Sequence, residues 1–232
     1  MADNTLILGQ RNAAWCGHGP VLEQDIAITN ISLDLIGQAR SFYQYAAEQM
    51  GNGATEDTLA YMRTEREFKN VLLTEQPNGD WAQTILRQFF FSTYQFYLYQ
   101  ELISHTDNRL SAIAEKSLKE VSYHLRWSSE WVIRLGDGTD ESNRRLRKAM
   151  DALWCYTGEL FMPAEFEAGI DLEKLKNSWT SKVKAVLEEA GLSMPENVFM
   201  HSGGKLGVHS EEMGFILSEL QYMQRTYPGA EW

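Results

Sequence analysis

The chain has 232 residues, 44% of them hydrophobic and 23% charged, which is the profile of a globular protein with room for one large domain or two small ones. A formal charge of −11 gains nothing from the polyphosphate field of a nucleic acid, so nucleic-acid binding is not expected. No run of about 18 apolar residues is present, so no membrane span is expected.

The N-terminal text MADNTLILGQRN has no basic region before an apolar run and does not read as a secretory signal. The two cysteines, Cys16 and Cys155, are far apart and read as buried free thiols in a reducing compartment. Together these features point to the cytoplasm. The aromatic complement of 7 Trp, 10 Tyr and 10 Phe supplies bulky filling for a core and for an interface.

In chain order, Thr5 to Cys16 reads as a short amphipathic helix stopped by Gly17, Gly19 and Pro20. Val21 to Met50 reads as a long helix, apolar on most sides through Leu22, Ile26, Ile31, Leu33, Leu35, Ile36, Phe42 and Tyr43, and hence central. One polar stripe, Asn30, Asp34 and Gln38, crosses it. After Gly51-Asn52-Gly53 a second long helix is expected from Thr55 or Glu56 to about Thr74. Pro77-Asn78-Gly79 is a turn, and Asp80 caps a third long helix, Trp81 to about His105. Its segment FFFSTYQFYLY is rich in strand formers but does not alternate, and its length favours helix.

Asp107-Asn108 opens a fourth helix, ending at Leu135-Gly136-Asp137-Gly138. A fifth runs from Thr139-Asp140-Glu141 to about Phe161, where Pro163 breaks it. Asp171 caps another, to about Ala190. Leu192 to Gly207 shows little periodicity, and a last helix spans about Val208 to Tyr227. Neither a repeat nor a linker divides the chain, so residues 1–232 read as a single all-α domain of four long helices with flanking ones.

The fourth helix carries the most informative text. Di-iron helical bundles take carboxylates from two helices and a Glu-x-x-His pair from each of two others. Glu120 is present, but Tyr123 stands where the histidine belongs, and His124 sits one position late, about 100° further round the helix. The second helix repeats the substitution with Glu65 and Phe68. Phe68 has no ligating atom, and a phenol is a poor replacement for imidazole. Asp34 is a candidate lone carboxylate on the first long helix. On the third, the inward candidates are Gln88, Tyr94, Gln95 and Tyr97, and the first acid is Glu101.

Asp34, Glu65, Phe68, Glu120, Tyr123 and His124 therefore mark a degenerate metal site in a ferritin-like four-helix bundle. A decayed site, with its acids paired to Arg or hydrogen-bonded to Tyr, fits better than working metal. It also fits better than chance placement of ordinary surface residues. His124 alone reads as a satisfied core histidine, and His18, His105, His201 and His209 show no metal-ligand spacing. Gly203-Gly204-Lys205 lacks the phosphate-loop spacing and reads first as a turn or interface loop. Arg63, Arg66 and Lys69 recur every three residues, which on a helix gives one basic face. Arg144, Arg145, Arg147 and Lys148 form a second cluster. Surface salt bridges are the plainer reading of both.

Seven blocks stand out: W-C-G-H at 15–18, I-S-L-D-L-I-G-Q-A-R at 31–40, E-D-T-L-A-Y at 56–61, E-Q-P-N-G at 75–79, Y-H-L-R at 123–126, L-G-D-G-T-D at 135–140 and G-G-K-L-G-V-H-S-E at 203–211. Together they resemble the C-subunit family of the phenylacetyl-CoA epoxidase, the ring 1,2-epoxidase of aerobic phenylacetate degradation. The resemblance covers nearly the whole chain. It implies a ferritin-like fold and a place in a multicomponent monooxygenase. In that complex a sister subunit of similar fold holds the di-iron centre, and a reductase with flavin and iron–sulfur centres delivers electrons from NADPH. One atom of O2 enters the ring of phenylacetyl-CoA and the other leaves as water.

The family's members are implied to be the non-catalytic structural partner, with no catalytic residue, cofactor or metal of their own. The alternatives from other classes are an active di-iron oxidase with Asp34, Glu65, Glu120 and His124 as ligands, and a stand-alone helical interaction protein. A contact with the CoA thioester is expected at Arg66, Glu67, Phe68 and Lys69, where cations lie beside the degenerate Glu65 position.

Overall fold

The computed structural model describes residues 1–230. Every regular element among them is helical: α1 (Ala2–Ala13), α2 (Leu22–Met50), α3 (Glu56–Tyr61), α4 (Leu72–Glu75), α5 (Trp81–Leu102), α6 (Asn108–Gly136), α7 (Asp140–Leu153), α8 (Leu172–Glu189) and α9 (Glu211–Thr226). Short 3-10 turns add Glu65–Glu67, Trp154–Tyr156, Gly158–Phe161, Glu165–Glu167 and Gly204–Leu206. This is the all-α class expected of a ferritin-like helical bundle. The helices fall into two compact units, Met1–Glu75 with the chain from Gly203 onward, and Gln76–Ser202.

In the first unit α1 lies on α2 where Gly9 leaves room. A Cβ there would come within 3.0 Å of Ile36 Cγ1, and Ser32 Oγ donates to the Gly9 carbonyl at 2.7 Å. One core cluster joins Leu6 and Ile7 of α1, Ala39 and Tyr43 of α2, Ala60 of α3, Phe68, and Met213, Ile216 and Leu217 of α9. The long helix expected over about 55–74 is broken, and its text supplies α3, a 3-10 turn, an extended stretch and α4. The cause is a set of alternative partners for its backbone. Glu67 accepts from Thr64 N and Oγ1 at 2.7 Å each, closing a capping box. At the start of α1, Asp3 Oδ2 accepts Lys69 N at 2.7 Å and Asn4 Oδ1 accepts Val71 N at 2.8 Å. Donors satisfied in this way do not need a helix.

α2 also departs from expectation. Leu22, Ile26, Leu33 and Ile36 face outward, so the helix is not covered on all sides within this chain. The polar stripe read from the sequence does not line one environment, since Asn30 is exposed, Asp34 half-buried and Gln38 buried.

In the second unit, α5 packs against α6, α7 and α8. Its aromatic run is helical, as its length implied, and Phe89, Phe90, Phe91, Tyr94 and Tyr99 are buried. Trp179 packs tilted against Phe90 (5.8 Å) and Trp154 (6.0 Å) and edge-on to Phe161 (5.4 Å), and donates its indole N–H to the Phe90 carbonyl at 2.9 Å. Trp81 meets Trp127 and Trp131 edge-on at 6.0 and 5.8 Å. Much of the aromatic complement is thus core. Asp80, Asp107 and Asp171 cap α5, α6 and α8 with their side chains. The fifth expected helix stops at Leu153 rather than near Phe161, because the chain tightens into two 3-10 turns and Gly158 sits against Met200. Both cysteines are free, but neither is the buried thiol expected, since Cys16 is exposed and Cys155 half-buried.

Candidate functional site

The positions read as a degenerate metal site are placed as follows. Asp34 lies half-buried on α2. Glu65 is exposed at the start of its 3-10 turn, on a surface pocket of about 440 Å³ lined also by Thr64, Leu217, Gln221, Tyr222 and Arg225. Phe68 is fully buried in the core cluster, with the Arg63 guanidinium 4.1 Å above its ring. Because residues 62–71 hold no α-helix, only the 3-10 turn Glu65–Glu67, Glu65 and Phe68 do not share an α-helix face, and the spacing that suggested a Glu-x-x-His slot has no geometric force there.

On α6 Glu120 is half-buried, Tyr123 is partly exposed and His124 is completely buried. Burial pushes the Tyr99 hydroxyl on α5 well up, and the charge of Glu120 adds to that shift. Of the α5 candidates, Gln88 donates to Ser92 Oγ (2.8 Å), Gln95 donates to the Tyr99 hydroxyl (2.9 Å) and Tyr94 donates to Glu167 (3.4 Å). Tyr97 is half-buried. Glu101 is paired with Lys174 at 2.5 Å. Among the described residues no three His, Cys, Asp or Glu side chains converge as a metal would require. Phe68 carries no lone-pair donor with which to ligate a metal ion, and its ring face is taken by the Arg63 guanidinium.

Arg63, Arg66 and Lys69 do not form a row, because the helix that would align them is absent. Arg63 turns inward, where its guanidinium meets Asp3 at 2.5 Å and the Tyr43 hydroxyl at 3.0 Å, and Tyr43 donates to Asp3 at 2.6 Å. Burial alone would raise the Asp3 carboxyl, but the hydrogen bonds and charge of Arg63 and the Tyr43 hydroxyl hold it below the usual range. Arg66 and Lys69 stay at the surface, and no carboxylate among the described residues pairs with either. The Gly203–Gly207 loop reaches them, since a Cβ on Gly207 would strike the Arg66 carbonyl and lie 2.9 Å from Lys69 Nζ. Gly207 is left-handed at φ 81°, and Gly204 packs directly on the Asn70 carbonyl. The Gly203-Gly204-Lys205 loop and the Arg66–Lys69 segment are therefore neighbours in space.

One constellation was not read from the sequence. Glu75 and His209, 134 residues apart, are both fully buried in their side chains and meet at 2.6 Å. The second ring nitrogen of His209 donates to the Phe68 carbonyl at 3.0 Å. An acceptor beside each ring nitrogen favours the doubly protonated imidazolium form. Burial would lower its pKa, but the Glu75 hydrogen bond and charge outweigh it and, with the Phe68 carbonyl, raise it above the ordinary 6.5. Glu75 also accepts from Ser210 N (2.9 Å), Ser210 Oγ (2.7 Å) and Asn70 Nδ2 (2.9 Å), and its carbonyl takes two bonds from Arg11. This clasp fixes the start of α9 to the end of α4. A lone Glu and a lone His carry no spacing signal. The only hint was that each stands inside one of the long resemblance blocks.

On the second cationic cluster, Arg144 and Arg145 pair with Glu141 on the surface, and Arg147 bonds Asn143 and the Gly191 carbonyl. Those are ordinary helix-surface contacts.

A family model described as phenylacetic acid catabolic protein matches residues 1–232. The chain belongs to that family. It is 46% identical to the C subunit of the 1,2-phenylacetyl-CoA epoxidase of Escherichia coli (strain K12), over 239 aligned residues covering all of this chain and 96% of the relative. The resemblance read from the sequence blocks and the comparison over the full length agree on the family. Among the described residues no helix is long and apolar enough to cross a membrane.

Proposed function

We propose that this chain is the non-catalytic structural subunit of a multicomponent monooxygenase that converts phenylacetyl-CoA, O2 and NADPH to the ring-1,2-epoxide. Its partner is a sister helical subunit that holds the di-iron centre, and a separate reductase supplies electrons. The observation that carries this reading is the fate of the second candidate ligand pair. Phe68 is a core residue under Arg63, and Glu65 stands in water on a 3-10 turn. A catalytic bundle must hold its ligands inward, whereas a partner bundle need hold only its shape and its contact face. The contact is of the permanent kind, burying more than about 2,000 Å² in total.

Arg66 and Lys69, with Glu67 and Phe68 shaping the turn between them, are proposed to lie along the path of the CoA phosphates. What supports this is two cations for which the described residues offer no carboxylate partner, on an otherwise acidic chain and next to a glycine loop. In this reading the chain does no chemistry on the ring. It holds the nucleotide end of the substrate and supports the sister subunit.

The experiment is metal analysis of the isolated chain after loading with ferrous iron, beside size-exclusion chromatography with the sister subunit at micromolar concentration. The expected result is no stoichiometric iron and co-elution as one complex. Two irons per chain, lost on Glu120→Ala, would replace this reading with that of an active di-iron protein. Separate elution would remove the structural-partner role.

A further inference from the structure

An asparagine followed by glycine is the pair best able to modify itself. The backbone nitrogen of the glycine, once it gives up its proton, attacks the side-chain carbonyl carbon of the asparagine, and the missing Cβ lets the backbone bend into the five-membered ring this needs. The chain holds two such pairs, Asn52-Gly53 and Asn78-Gly79, and the fold treats them in opposite ways. Asn52 is exposed in the turn between α2 and α3, and its side-chain amide meets no hydrogen-bonding group among the described residues. Gly51 and Gly53 flank it at φ 72° and 79°, and a Cβ built on either meets nothing within 4 Å. The backbone there is tied only locally: Gly51 N–H donates to the Ala47 carbonyl at 3.1 Å, and Gly53 N–H turns back on the Gly51 carbonyl. Asn78 is held. Its Oδ1 accepts the Arg87 guanidinium at 2.6 Å and its carbonyl accepts Thr84 Oγ1 at 2.9 Å. Arg87 is fully buried, and a Cβ on Gly79 would strike the Gln83 side chain.

We propose that Asn52 is a site of spontaneous deamidation and isomerisation, and that Asn78, in the same dipeptide, is protected by the fold. The bond that forms joins Gly53 N to Asn52 Cγ, and the bond that breaks is Cγ–Nδ2. The proton of the Gly53 amide leaves with the side-chain nitrogen as ammonia, and nothing is oxidised or reduced. Water then opens the succinimide. Attack at Cγ gives aspartate, and attack at the backbone carbonyl gives isoaspartate. At Asn52 the turn gives up only its own Gly53–Gly51 bond, whereas at Asn78 the same bending first breaks a charge-assisted bond to a buried guanidinium. The product places a new carboxylate at the C-terminal end of α2, where the helix dipole is already negative and where Glu48 and Glu56 line the hollow beside Gly51. Isoaspartate also lengthens the backbone by one methylene. Both changes loosen the last turn of α2.

The test holds the purified full-length chain in mildly alkaline buffer and follows its tryptic peptides by mass. Ser41–Arg63 contains Asn52 as its one asparagine, and in Asn70–Arg87 fragmentation separates Asn78 from Asn70. In the folded chain Asn52 is expected to exchange NH for O about tenfold or more faster than Asn78, the factor that one hydrogen bond to a charged group supplies. In urea the two should react alike. An isoaspartyl methyltransferase supplied with labelled S-adenosylmethionine should label Ser41–Arg63 of the aged chain. It should leave the same peptide of Asn52→Gln unlabelled, because the longer side chain would have to close a six-membered ring. Asn52→Asp should elute beside the aged protein on ion exchange, with the amides of Ala47 to Met50 exchanging faster than in wild type. Equal rates for Asn52 and Asn78 in the folded chain would overturn the proposal, as would an Asn52 that reacts in urea and not in the fold.

Discussion

Replacing Glu75 by alanine should be among the most damaging single changes in the first unit. The carboxylate accepts from His209, Ser210 N, Ser210 Oγ and Asn70 Nδ2, and both Glu75 and His209 are sealed from water. Removing one partner of a buried ion pair costs about 3–5 kcal/mol. The orphaned donors add to that, but not additively, because His209 escapes part of the cost by losing its proton. About 4 kcal/mol is expected, a large share of a typical 5–15 kcal/mol of total stability.

The pH dependence gives an independent handle on the same clasp. His209 has its folded pKa raised above 6.5, so its contribution is complete below that value and is lost as pH rises through the folded value. Glu75→Gln keeps the shape, removes the charge and should flatten this alkaline slope. Urea unfolding followed by circular dichroism over a pH series measures both effects. Hydrogen exchange at the Ser210 amide, which donates to Glu75, locates them. A cost under about 1 kcal/mol for Glu75→Ala, or a Glu75→Gln variant whose stability falls with rising pH as steeply as wild type's, would falsify the clasp as a stabilising element.

Three further outcomes are expected. Asp3→Asn leaves the Arg63 guanidinium without its buried counter-charge and should cost about 3 kcal/mol. In wild type the depressed Asp3 pKa means this stability is present above 3.8 and lost as pH falls through the lower folded value, so acid denaturation should begin later than in the variant. Gly207→Ala forces a side chain into left-handed backbone against the Arg66 carbonyl, and a loss of about 1–3 kcal/mol should appear in thermal unfolding. Arg66→Ala with Lys69→Ala should weaken CoA binding by about 1.5–3 kcal/mol in an assembled complex, and unchanged affinity by calorimetry would rule out the proposed phosphate contact.

The helical class and most boundaries were legible in the sequence because they rest on local chemistry. Asp80, Asp107 and Asp171 announce their caps, and the aromatic run of α5 is too long and too unalternating for a strand. The broken helix after Tyr61 was not legible. Its interruption depends on Asp3 and Asn4, more than 60 residues away, taking backbone donors that a local reading assigns to helix. The same distance hid the clasp. Arg63 was misread for a related reason, since nothing at positions 60–69 says that one of three evenly spaced cations turns inward. The Glu65-x-x-Phe68 text was legible as a departure from metal ligation, but not as a 3-10 turn over a buried ring.

The first unit is assembled from both ends of the chain, and this sets an order of events during synthesis. Leu6, Ile7 and Phe68 leave the ribosome early, but Met213, Ile216 and Leu217, which cover them, emerge only after all of 76–202 has been made. Until then an apolar face of the nascent chain stays open to chaperones or to wrong partners. Gln76–Ser202 is contiguous and can complete its own packing while the first unit waits. The Glu75–His209 pair then acts as the latch that closes last. Mutations in α9 should therefore show themselves as lost yield in cells more strongly than as lost stability of whatever purified protein survives.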